Sequence, residues 1–378
     1  MLWDFTVTID PEGTPVVLTN VVSVDVQSGR QAQLDNFTSA RCTVVLRYPN
    51  GYVTPITPLT PGTAILIEST QIGGGFPWVV MYGYISDVSV QYGIPFANNV
   101  GPADFLTINI ETELARVARS SGEDYVMTAG TVTAQLAAAD AASVTNITTS
   151  FVSYFNTISM SGTTVTGSWA DWLNQMAFSV AGRIVEHLEE VLLTPAQPVQ
   201  EFTAPSFTFT DAGGTGLIYD ELTFDTLAQN YFTQVTIDPT AVAAQTVESG
   251  SAPFRNLTLN TYSPTVGGAT DLANYLLNNY DEPALAISSI HVNMAAVNGN
   301  IKEIIDNGPS YCGILGVGNQ INLVFRGVTY TCIIEGGAMS ATPGSCSLTL
   351  YVSGADLNAY LILDNLVLGK LNENKLGF

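Results

Sequence analysis

The stretch that decides the fold covers residues 40–70 and reads "ARCTVVLRYPNGYVTPITPLTPGTAILIEST". Both ends of this stretch are rich in β-branched residues that alternate with polar ones, which is typical of strands with one buried face. The link between the two ends contains four prolines and two glycines, a composition that marks turns and loops. The stretch therefore predicts two strands joined by a long irregular connection.

The same pattern extends over the first 112 residues of the chain. Runs of β-branched and aromatic residues alternate there with links that are rich in glycine and proline. The predicted strands cover residues 5–9, 21–29, 40–48, 63–70, 78–93 and 105–112. Six strands with such links predict an antiparallel sandwich or barrel.

Helical spacing first occurs after residue 112. The predicted helices cover residues 112–121, 133–143 and 168–181. The last of these, "SWADWLNQMAFSVA", is the strongest, because its large apolar side chains fall on one face. Ser168 and Asp171, three residues apart, resemble the capping box that begins a helix. Residues 183–194, "RIVEHLEEVLLT", then predict a hairpin with its turn near residues 188–190.

Strands return in the last third of the chain. They cover residues 231–237, 256–262, 284–294, 319–327, 328–337 and 345–354, and one helix at 270–280 interrupts them. The predicted fold class is therefore mainly β, α+β overall, with two β modules that flank a mixed α/β lobe. The first module is predicted to cover residues 1–112. The lobe covers 113–235, with a last strand that could rejoin the first barrel, and the second module covers 236–378.

The charge balance of the chain is strongly acidic. Among 378 residues, 11 are Lys or Arg and 33 are Asp or Glu, which gives a net charge of -22. The length suggests two or three domains, and 46% hydrophobic residues supply material for a core. Binding the backbone of a nucleic acid needs a cationic footprint, which this composition does not offer. Neither a signal peptide nor a transmembrane segment is predicted.

The four cysteines are Cys42, Cys312, Cys332 and Cys346, and none has the spacing of a metal site. Buried free thiols that pack as small apolar groups are the first interpretation. A disulfide between Cys332 and Cys346 is the alternative, because these two residues lie on adjacent predicted strands. The sequence predicts no metal and no cofactor.

Residues that could carry catalysis form no recognisable motif. His187 lies in the predicted hairpin and His291 in a predicted strand, and no nucleophile elbow accompanies them. The glycine-rich residues 211–216 and 313–319 lack phosphate-binding patterns and predict turns. A hydrolase with paired carboxylates would need two of them to face each other across a cleft. The clustered carboxylates are Glu186, Glu189, Glu190, Asp220, Glu221 and Asp225. We expect that the protein is not an enzyme.

Three local patterns together carry a family resemblance. The first is the turn-rich region 37–69 followed by "VVMYGYISDVSVQYG", residues 79–93. The second is "LIYDELTFDTLAQNYFTQVTI" at 217–237, and the third is "GVTYTCIIEGGAMSATPGSCSLTLYVSG" at 327–354 with the closing residues 361–378. In their order and spacing these patterns resemble the minor tail proteins, or tail-tip and baseplate hub proteins, of tailed bacteriophages.

The resemblance implies a fold and an assembly. Two tail-tube-like β-barrel modules with an inserted lobe are expected, and three copies would form a ring whose six barrels continue a six-fold tail tube. The function implied is that of a structural hub in the tail tip or baseplate of the virion, forming part of the DNA conduit. DNA would pass without specific binding. The partners implied are a neighbouring tail tube or distal tail protein, the tape-measure protein, and tip, fibre or spike proteins.

Two other functions stay open at this point. One is a hexameric distal tail protein, and the other is a tail protein that binds or cleaves carbohydrate. The apolar closing residues are predicted to act as a latch between copies, with the alternative that they fold back on their own barrel. The predicted interface residues are Leu363, Leu366, Leu368, Gly369, Leu371, Leu376 and Phe378.

Overall fold

The computed structural model describes residues 3–31, 34–49, 59–71, 78–93, 103–143, 145–149, 151–195, 207–211, 216–225, 231–250, 252–280, 286–293 and 314–354. The first seven strands are β1 (Trp3–Ile9), β2 (Val16–Leu18), β3 (Val21–Gly29), β4 (Arg41–Tyr48), β5 (Ala64–Gln71), β6 (Trp78–Gln91) and β7 (Asp104–Glu111). They pair antiparallel in the order β3-β4-β7-β6-β5-β1-β2. Every second residue of β7 is buried, as the period-two pattern of its sequence predicts.

The inserted lobe begins directly after β7. Its helices are α1 (Glu113–Arg119), α2 (Val132–Ser143), α3 (Val152–Phe155) and α4 (Trp169–Ser179). Its strands are β8 (Tyr125–Met127), β9 (Gly130–Thr131), β10 (Ile147–Thr148), β11 (Ser159–Met160), β12 (Thr163–Val165), β13 (Gly182–His187) and β14 (Glu190–Pro195). β13 and β14 form the predicted hairpin, and β10 extends it on the β14 side. A separate hydrophobic core fills the lobe.

Helix α4 confirms the capping-box prediction. The Ser168 hydroxyl accepts a hydrogen bond from the backbone N–H of Asp171 at 3.1 Å and donates one to the Asp171 carboxylate at 2.7 Å. These bonds satisfy a backbone donor that the first turn of a helix leaves without a partner. The apolar face of α4 is buried in the lobe core, as predicted from its spacing, and includes Trp169, Trp172, Leu173 and Met176.

The remaining elements build the second half of the structure. The strands of the large sheet are β15 (Phe207–Thr210), β16 (Leu217–Ile218), β17 (Glu221–Asp225), β21 (Ala286–Asn293), β22 (Gln320–Phe325), β23 (Val328–Thr342) and β24 (Ser345–Gly354). A smaller sheet contains β18 (Gln234–Pro239), β19 (Gln245–Glu248) and β20 (Asn256–Thr261), and helix α5 (Val266–Tyr280) packs on it around a third core. A short 3-10 turn, Ile314–Gly316, precedes β22.

Strand β23 joins the two halves into one sheet. Its 15 residues are long enough to pair first with β22 and then with β3, while β24 runs along its other side. Hydrogen bonding therefore continues from the first half into the second, and one 14-stranded sheet results. A single hydrophobic core cluster extends under both halves.

This continuity bears on one part of the predicted fold class. A mainly β chain is confirmed. The barrel modules and the inserted lobe stay predictions, and among the described residues no sheet closes on itself as a barrel would. β1 and β3 lie in contact without forming a ladder. β23 pairs with strands of both halves, so the two halves share one sheet.

The predicted boundaries at residues 112 and 235 stay predictions. Strand pairing shows that β15 and β17, from the range assigned to the lobe, belong to the large sheet through β22 and β21. β18 to β20, at the start of the range assigned to the second module, form the separate small sheet instead.

Cys42, Cys332 and Cys346 are buried free thiols, as first interpreted. The register of β23 and β24 places Cys332 opposite Gly354 and Cys346 opposite Ala341. These positions lie about 30 Å apart along the strands, which excludes the alternative disulfide. Cys312 lies outside the described residues. No helix in the described part of the chain is long and apolar enough to cross a membrane.

Candidate functional site: a polar face shared by both halves

One row of directly opposed residues crosses eight strands of the large sheet. The row runs along β17, β21, β24, β23, β3, β4, β7 and β6. Directly opposed residues in antiparallel pairs project from the same face of a sheet. The members of this first row are Glu221, His291, Thr349, Ala338, Gln27, Arg41, Glu111 and Tyr84. None of them is buried, and Ala338 is the one apolar member.

A second row lies two residues further along six of these strands and therefore on the same face. On β6 it lies three residues further, because a bulge interrupts the ladder between Ile85 and Asp87. Its members are Asn293, Ser347, Ser340, Asp25, Thr43, Asn109 and Asp87. All are polar and none is buried. Hydrogen bonds link neighbours within the row: Ser340 donates to Asp25 at 2.6 Å, and Thr43 donates to Asn109 at 3.0 Å. We call the two rows the polar face.

The opposite face of the same strands is fully apolar at the matching positions. Val26, Val44, Ile108, Met339 and Leu348 alternate with members of the polar face and are buried in the shared core. The alternation fixes which face of the sheet contacts water, because a shift of one residue would expose the whole apolar set. The fold therefore requires the polar face to be the side of this sheet that contacts water.

The polar face ends at two strand edges that pair with no further strand among the described residues. β17 pairs only with β21. β5 pairs with β6 only as far as Tyr84, so residues 86–91 of β6 pair with β7 on one side and with no described strand on the other. Unpaired edges present backbone N–H and C=O groups that can accept another strand.

The one cation in the two rows of the polar face, Arg41, has an acid as its cross-strand neighbour. Arg41 stands directly opposite Glu111, which also holds the guanidinium of Arg119 in a salt bridge. Asp25, Asp87 and Glu221 are exposed on the same face. The face therefore presents hydroxyl, amide and carboxylate groups and no cluster of unmatched cations in the described residues.

A buried ion cluster holds the lobe against the sheet beneath this face. Glu335 on β23 accepts hydrogen bonds from Arg30 Nε at 2.9 Å and from Arg183 Nη2 at 2.8 Å, and Ser353 Oγ donates to it at 2.5 Å. Burial raises the pKa of this carboxyl, but the two guanidinium groups outweigh burial and hold the pKa at about 2. The cluster joins β3 and β23 to the β13 strand of the lobe.

A second buried carboxylate, Glu186, anchors the same lobe strand. It accepts hydrogen bonds from the backbone N–H of Ala40 at 2.6 Å and of Leu114 at 3.1 Å, and from the hydroxyl of Thr112. Burial raises the pKa of Glu186 to about 7, against the effect of these hydrogen bonds, which lower it. The buried side chains of Arg183 and Glu186 thus hold the β13–β14 hairpin against the sheet.

The structure brings together two residues that the sequence singled out for catalysis. The Nδ1 atom of His291 lies 2.7 Å from Oδ1 of Asp220, and β17 carries Glu221 directly opposite His291. The pair is partly exposed on the polar face, and no serine or cysteine hydroxyl or thiol bonds to the histidine among the described contacts. His187 is at the end of β13, and burial lowers its pKa.

Another of the clustered carboxylates, Glu189, lies against a carboxylate outside the cluster. Glu189, in the hairpin turn, forms a hydrogen bond with Glu12 of the β1–β2 turn, and this contact raises the pKa of Glu12. Burial and the same Glu189 raise the pKa of Tyr82. Two carboxylates in direct contact leave no space for a sugar between them. The described residues hold no group of three or more potential ligands placed to bind a metal.

The predicted interface residues all lie outside the described part of the chain. These are Leu363, Leu366, Leu368, Gly369, Leu371, Leu376 and Phe378. Sequence reasoning missed Arg30, Arg183 and Glu335, which are separated by up to 305 positions. The one available signal was a charged residue inside a strand, as in "CIIEGG" on β23.

No protein-family model and no curated protein sequence matches the chain. Solved structures do match. The 43 kDa tail protein of prophage MuSo2 from Shewanella oneidensis has a TM-score of 0.59 at 12% identity, over 94% of this chain and 98% of that chain. A tail protein from Neisseria meningitidis MC58 also has a TM-score of 0.59 at 12% identity, over 93% and 97%.

A third similar structure is a Francisella PdpA–VgrG complex. Its TM-score is 0.51 at 7% identity, and the match covers 93% of this chain but 52% of that chain. The chain therefore has the fold of solved phage tail proteins along nearly all of its length. At the level of fold, this confirms the resemblance seen in the sequence.

Proposed function

We propose that the protein is a structural hub of a bacteriophage tail tip or baseplate, built as a ring of three copies around the path of the DNA. The observation that carries the proposal is the polar face, which continues without a break through both halves of one chain. A ring subunit needs such a face, because every copy in the wall of an aqueous channel must present polar groups to the water inside. The fold shared with tail proteins supports the same role.

The strand edges at the two ends of the polar face supply a means of closing the ring. A head-to-tail contact between copies generates a closed ring when the rotation fits. In our proposal the β17 edge of one copy lies against the edge of β6, residues 86–91, of the next. The two halves of each sheet then act as the two tube-type modules, so that three copies meet a six-fold tail tube.

The chemistry of the polar face suits passage of DNA. Backbone binding depends on Lys and Arg that neutralise phosphates, and the two rows of this face contain one such residue, Arg41, which stands opposite Glu111. Exposed Asp25, Asp87 and Glu221 add repulsion. A wall of hydroxyl, amide and carboxylate groups therefore lets the polyanion slide, and the protein acts in structure and transport and is not an enzyme.

The proposal places the protein in the virion among other tail components. The neighbours would be the tail tube or distal tail protein on one side and tip, fibre or spike proteins on the other, with the tape-measure protein in the channel. A similar fold within a complex that contains VgrG supports contacts with spike-type proteins.

The mass of the assembled particle tests the number of copies. Light scattering on the purified protein, or on a tail-tip subassembly, is expected to give a multiple of three chains. A ring of six copies would contradict the hub and favour a distal tail protein. Ring formation is measured in the subassembly as well, because the neighbours can be needed to close the ring.

Cysteine labelling tests which face lines the channel. Ser340→Cys places a thiol at the centre of the polar face, and Thr258→Cys, on the exposed side of the small sheet, is the matched control. Both variants also carry Cys312→Ser. In the ring, a maleimide too large for the channel is expected to label only the control, whereas both react in the dissociated chain. Equal labelling of both thiols in the ring would contradict the assignment.

A further inference from the structure

A cleft of about 560 Å³ opens between the lobe and helix α5. The lobe wall comes from α3, β11 and the end of α4. The opposite wall comes from the residues just before α5 and from the first turns of that helix. The volume lies within the range of pockets that hold a small ligand.

Much of the lining of this cleft is polar. Besides two tyrosines, the polar lining residues are Thr157, Ser159, Ser179, Ser263, Thr265 and Asp271. Ser263 is 4% exposed, and its hydroxyl has no hydrogen-bond partner in the described part of the chain. A buried hydroxyl without a partner is unfavourable, which points to an occupant of the cleft that bonds this group.

Two tyrosines line the cleft from opposite walls. Tyr154 lies on α3 and Tyr275 on α5. Burial raises the pKa of Tyr154, and the nearby Tyr275 raises it further, so the two side chains approach each other. Tyrosine rings present flat apolar faces with a polar tip. Such a face packs well against the C–H groups of a sugar ring.

The charges at the cleft favour a neutral occupant. Asp271 is exposed and is the one carboxylate in the lining, which contains no Lys or Arg among the described residues. Thr265 and Gly268 bring the N-terminus of α5 to the same wall, and the partial positive charge of a helix N-terminus offsets that of Asp271 in part.

Hydrogen-bond donors and acceptors are mixed in this lining. The Thr265 hydroxyl accepts a bond from the backbone N–H of Gly268 at 3.1 Å, so its own proton is available to donate. The Asp271 carboxylate can only accept when it is ionised. A neutral molecule with several hydroxyl groups, each of which both donates and accepts, matches this combination.

We propose that the cleft is a binding site for a neutral oligosaccharide, with a sugar ring against Tyr154 and sugar hydroxyls bonded to Ser263 and Asp271. The site binds and does not cleave, because its lining holds one carboxylate where glycoside hydrolysis uses two. The inference goes beyond the hub role and does not depend on ring formation, since one chain supplies all the residues.

Isothermal titration calorimetry on the full chain tests the binding. The neutral probes are maltotriose, cellotriose, mannotriose and chitotriose, and at least one is expected to bind with a Kd of about 1 mM or tighter. Sialyllactose, spermidine and a capped tetra-alanine peptide serve as the anionic, cationic and peptide probes and are expected to bind at least about tenfold more weakly. The proposal is wrong if no neutral saccharide binds, or if one of the other three probes binds more tightly.

Two substitutions test the location of the site. Tyr154→Ala and Asp271→Asn are each expected to weaken saccharide binding about tenfold or more, by removing a stacking face and a charged acceptor. Tyr92→Ala removes another exposed ring, and Asp238→Asn removes an exposed carboxylate on β18. These controls are expected to bind as the parent does. Equal binding by all four variants would overturn the assignment to the cleft.

Hydrogen exchange on the parent chain gives a second readout that needs no variant. The bound saccharide is expected to slow exchange at amides of residues 157–160 and 265–272 and to leave β4 and β7 unchanged. Protection that occurs elsewhere and not at these residues would show that the saccharide binds at another place.

Discussion

At the scale of single residues, two buried carboxylates decide how the lobe sits on the sheet. Glu335 compensates two arginines that have almost no exposed surface, Arg30 and Arg183. Removing charges from water costs several kcal/mol per ion, so the cluster is stable only while all its members are present. Because Arg30 follows β3 of the first half and Arg183 lies on β13 of the lobe, Glu335 on β23 connects the lobe to both halves of the sheet.

Replacing Glu335 by Gln is expected to destabilise the protein by about 3–5 kcal/mol, because two buried guanidinium groups lose their counter-charge. Denaturant unfolding monitored by tryptophan fluorescence measures the change. Glu221→Gln, on an exposed edge strand, is the control and is expected to stay within about 0.5 kcal/mol of the parent. Similar stabilities for both variants would show that the cluster does not make this connection.

Glu186 makes stability depend on pH. Its pKa is about 7 in the folded chain against an ordinary value of 4.5 for a glutamate, so the folded state binds its proton more tightly than the unfolded state does. The stabilisation is complete below pH 4.5 and is lost as the pH rises through 7, by up to about 1.4 kcal/mol per pH unit.

The Glu186→Gln variant isolates this effect. An amide imitates the protonated carboxyl, so the variant is expected to lose the decline in unfolding free energy between pH 5 and 7. Glu335 contributes nothing to this window, because its pKa is depressed to about 2 and its contribution is complete above pH 4.5. A decline that is equally steep in parent and variant would exclude Glu186 as its source.

At the scale of elements, the joint between β3 and β23 depends on two glycines that pass at very short range. Gly29 has φ 74°, and a Cβ atom there would lie 2.3 Å from the carbonyl oxygen of Glu335. A Cβ atom on Gly336 would lie 2.4 Å from the carbonyl oxygen of Arg30. Backbone oxygens cannot move aside as flexible side chains do, so the two strands pair only with glycine at both positions.

Gly336→Ala is therefore expected to destabilise the protein by at least about 1–3 kcal/mol, as overpacking does. Gly344→Ala, in the β23–β24 turn, is the matched control, because a Cβ atom there meets nothing within 4 Å. Thermal unfolding of the two variants compares them directly. A smaller loss for Gly336→Ala than for Gly344→Ala would contradict the close approach of the two strands.

At the scale of the whole molecule, charge governs what the polar face can hold. The net charge of -22 raises the local repulsion of any polyanion, and the described arginines are largely engaged with acids or aromatic rings. In the proposed conduit, such a surface would guide DNA by repelling it from the wall.

Double-stranded DNA is accordingly expected to show no measurable affinity for the protein at moderate salt. Fluorescence anisotropy with a labelled duplex measures this. A variant with Asp25→Lys, Asp87→Lys and Glu221→Lys places three cations on the polar face and is expected to gain binding that weakens steeply with salt. Micromolar binding by the parent protein would reveal a cationic patch and contradict the conduit.

The local pattern of the sequence determined most elements of this fold. Strands such as β3 and β24 and the helix α4 were predicted because alternation, helical spacing and the Ser168 cap act over a few residues. Composition likewise determined the acidic surface. The partial resemblance to tail proteins rested on turn-rich stretches and was confirmed at the level of fold.

Only the tertiary structure decided how these elements combine. Pairing of β3 with β23 joins residues more than 300 positions apart, and an exposed antiparallel edge can in principle accept many partners, so no local pattern selects one. The choice follows from burying one apolar face across both halves and from the glycines that let the backbones meet. The same packing buries Glu186 and Glu335 and aligns the polar face, because burial and register are properties of the assembled sheet.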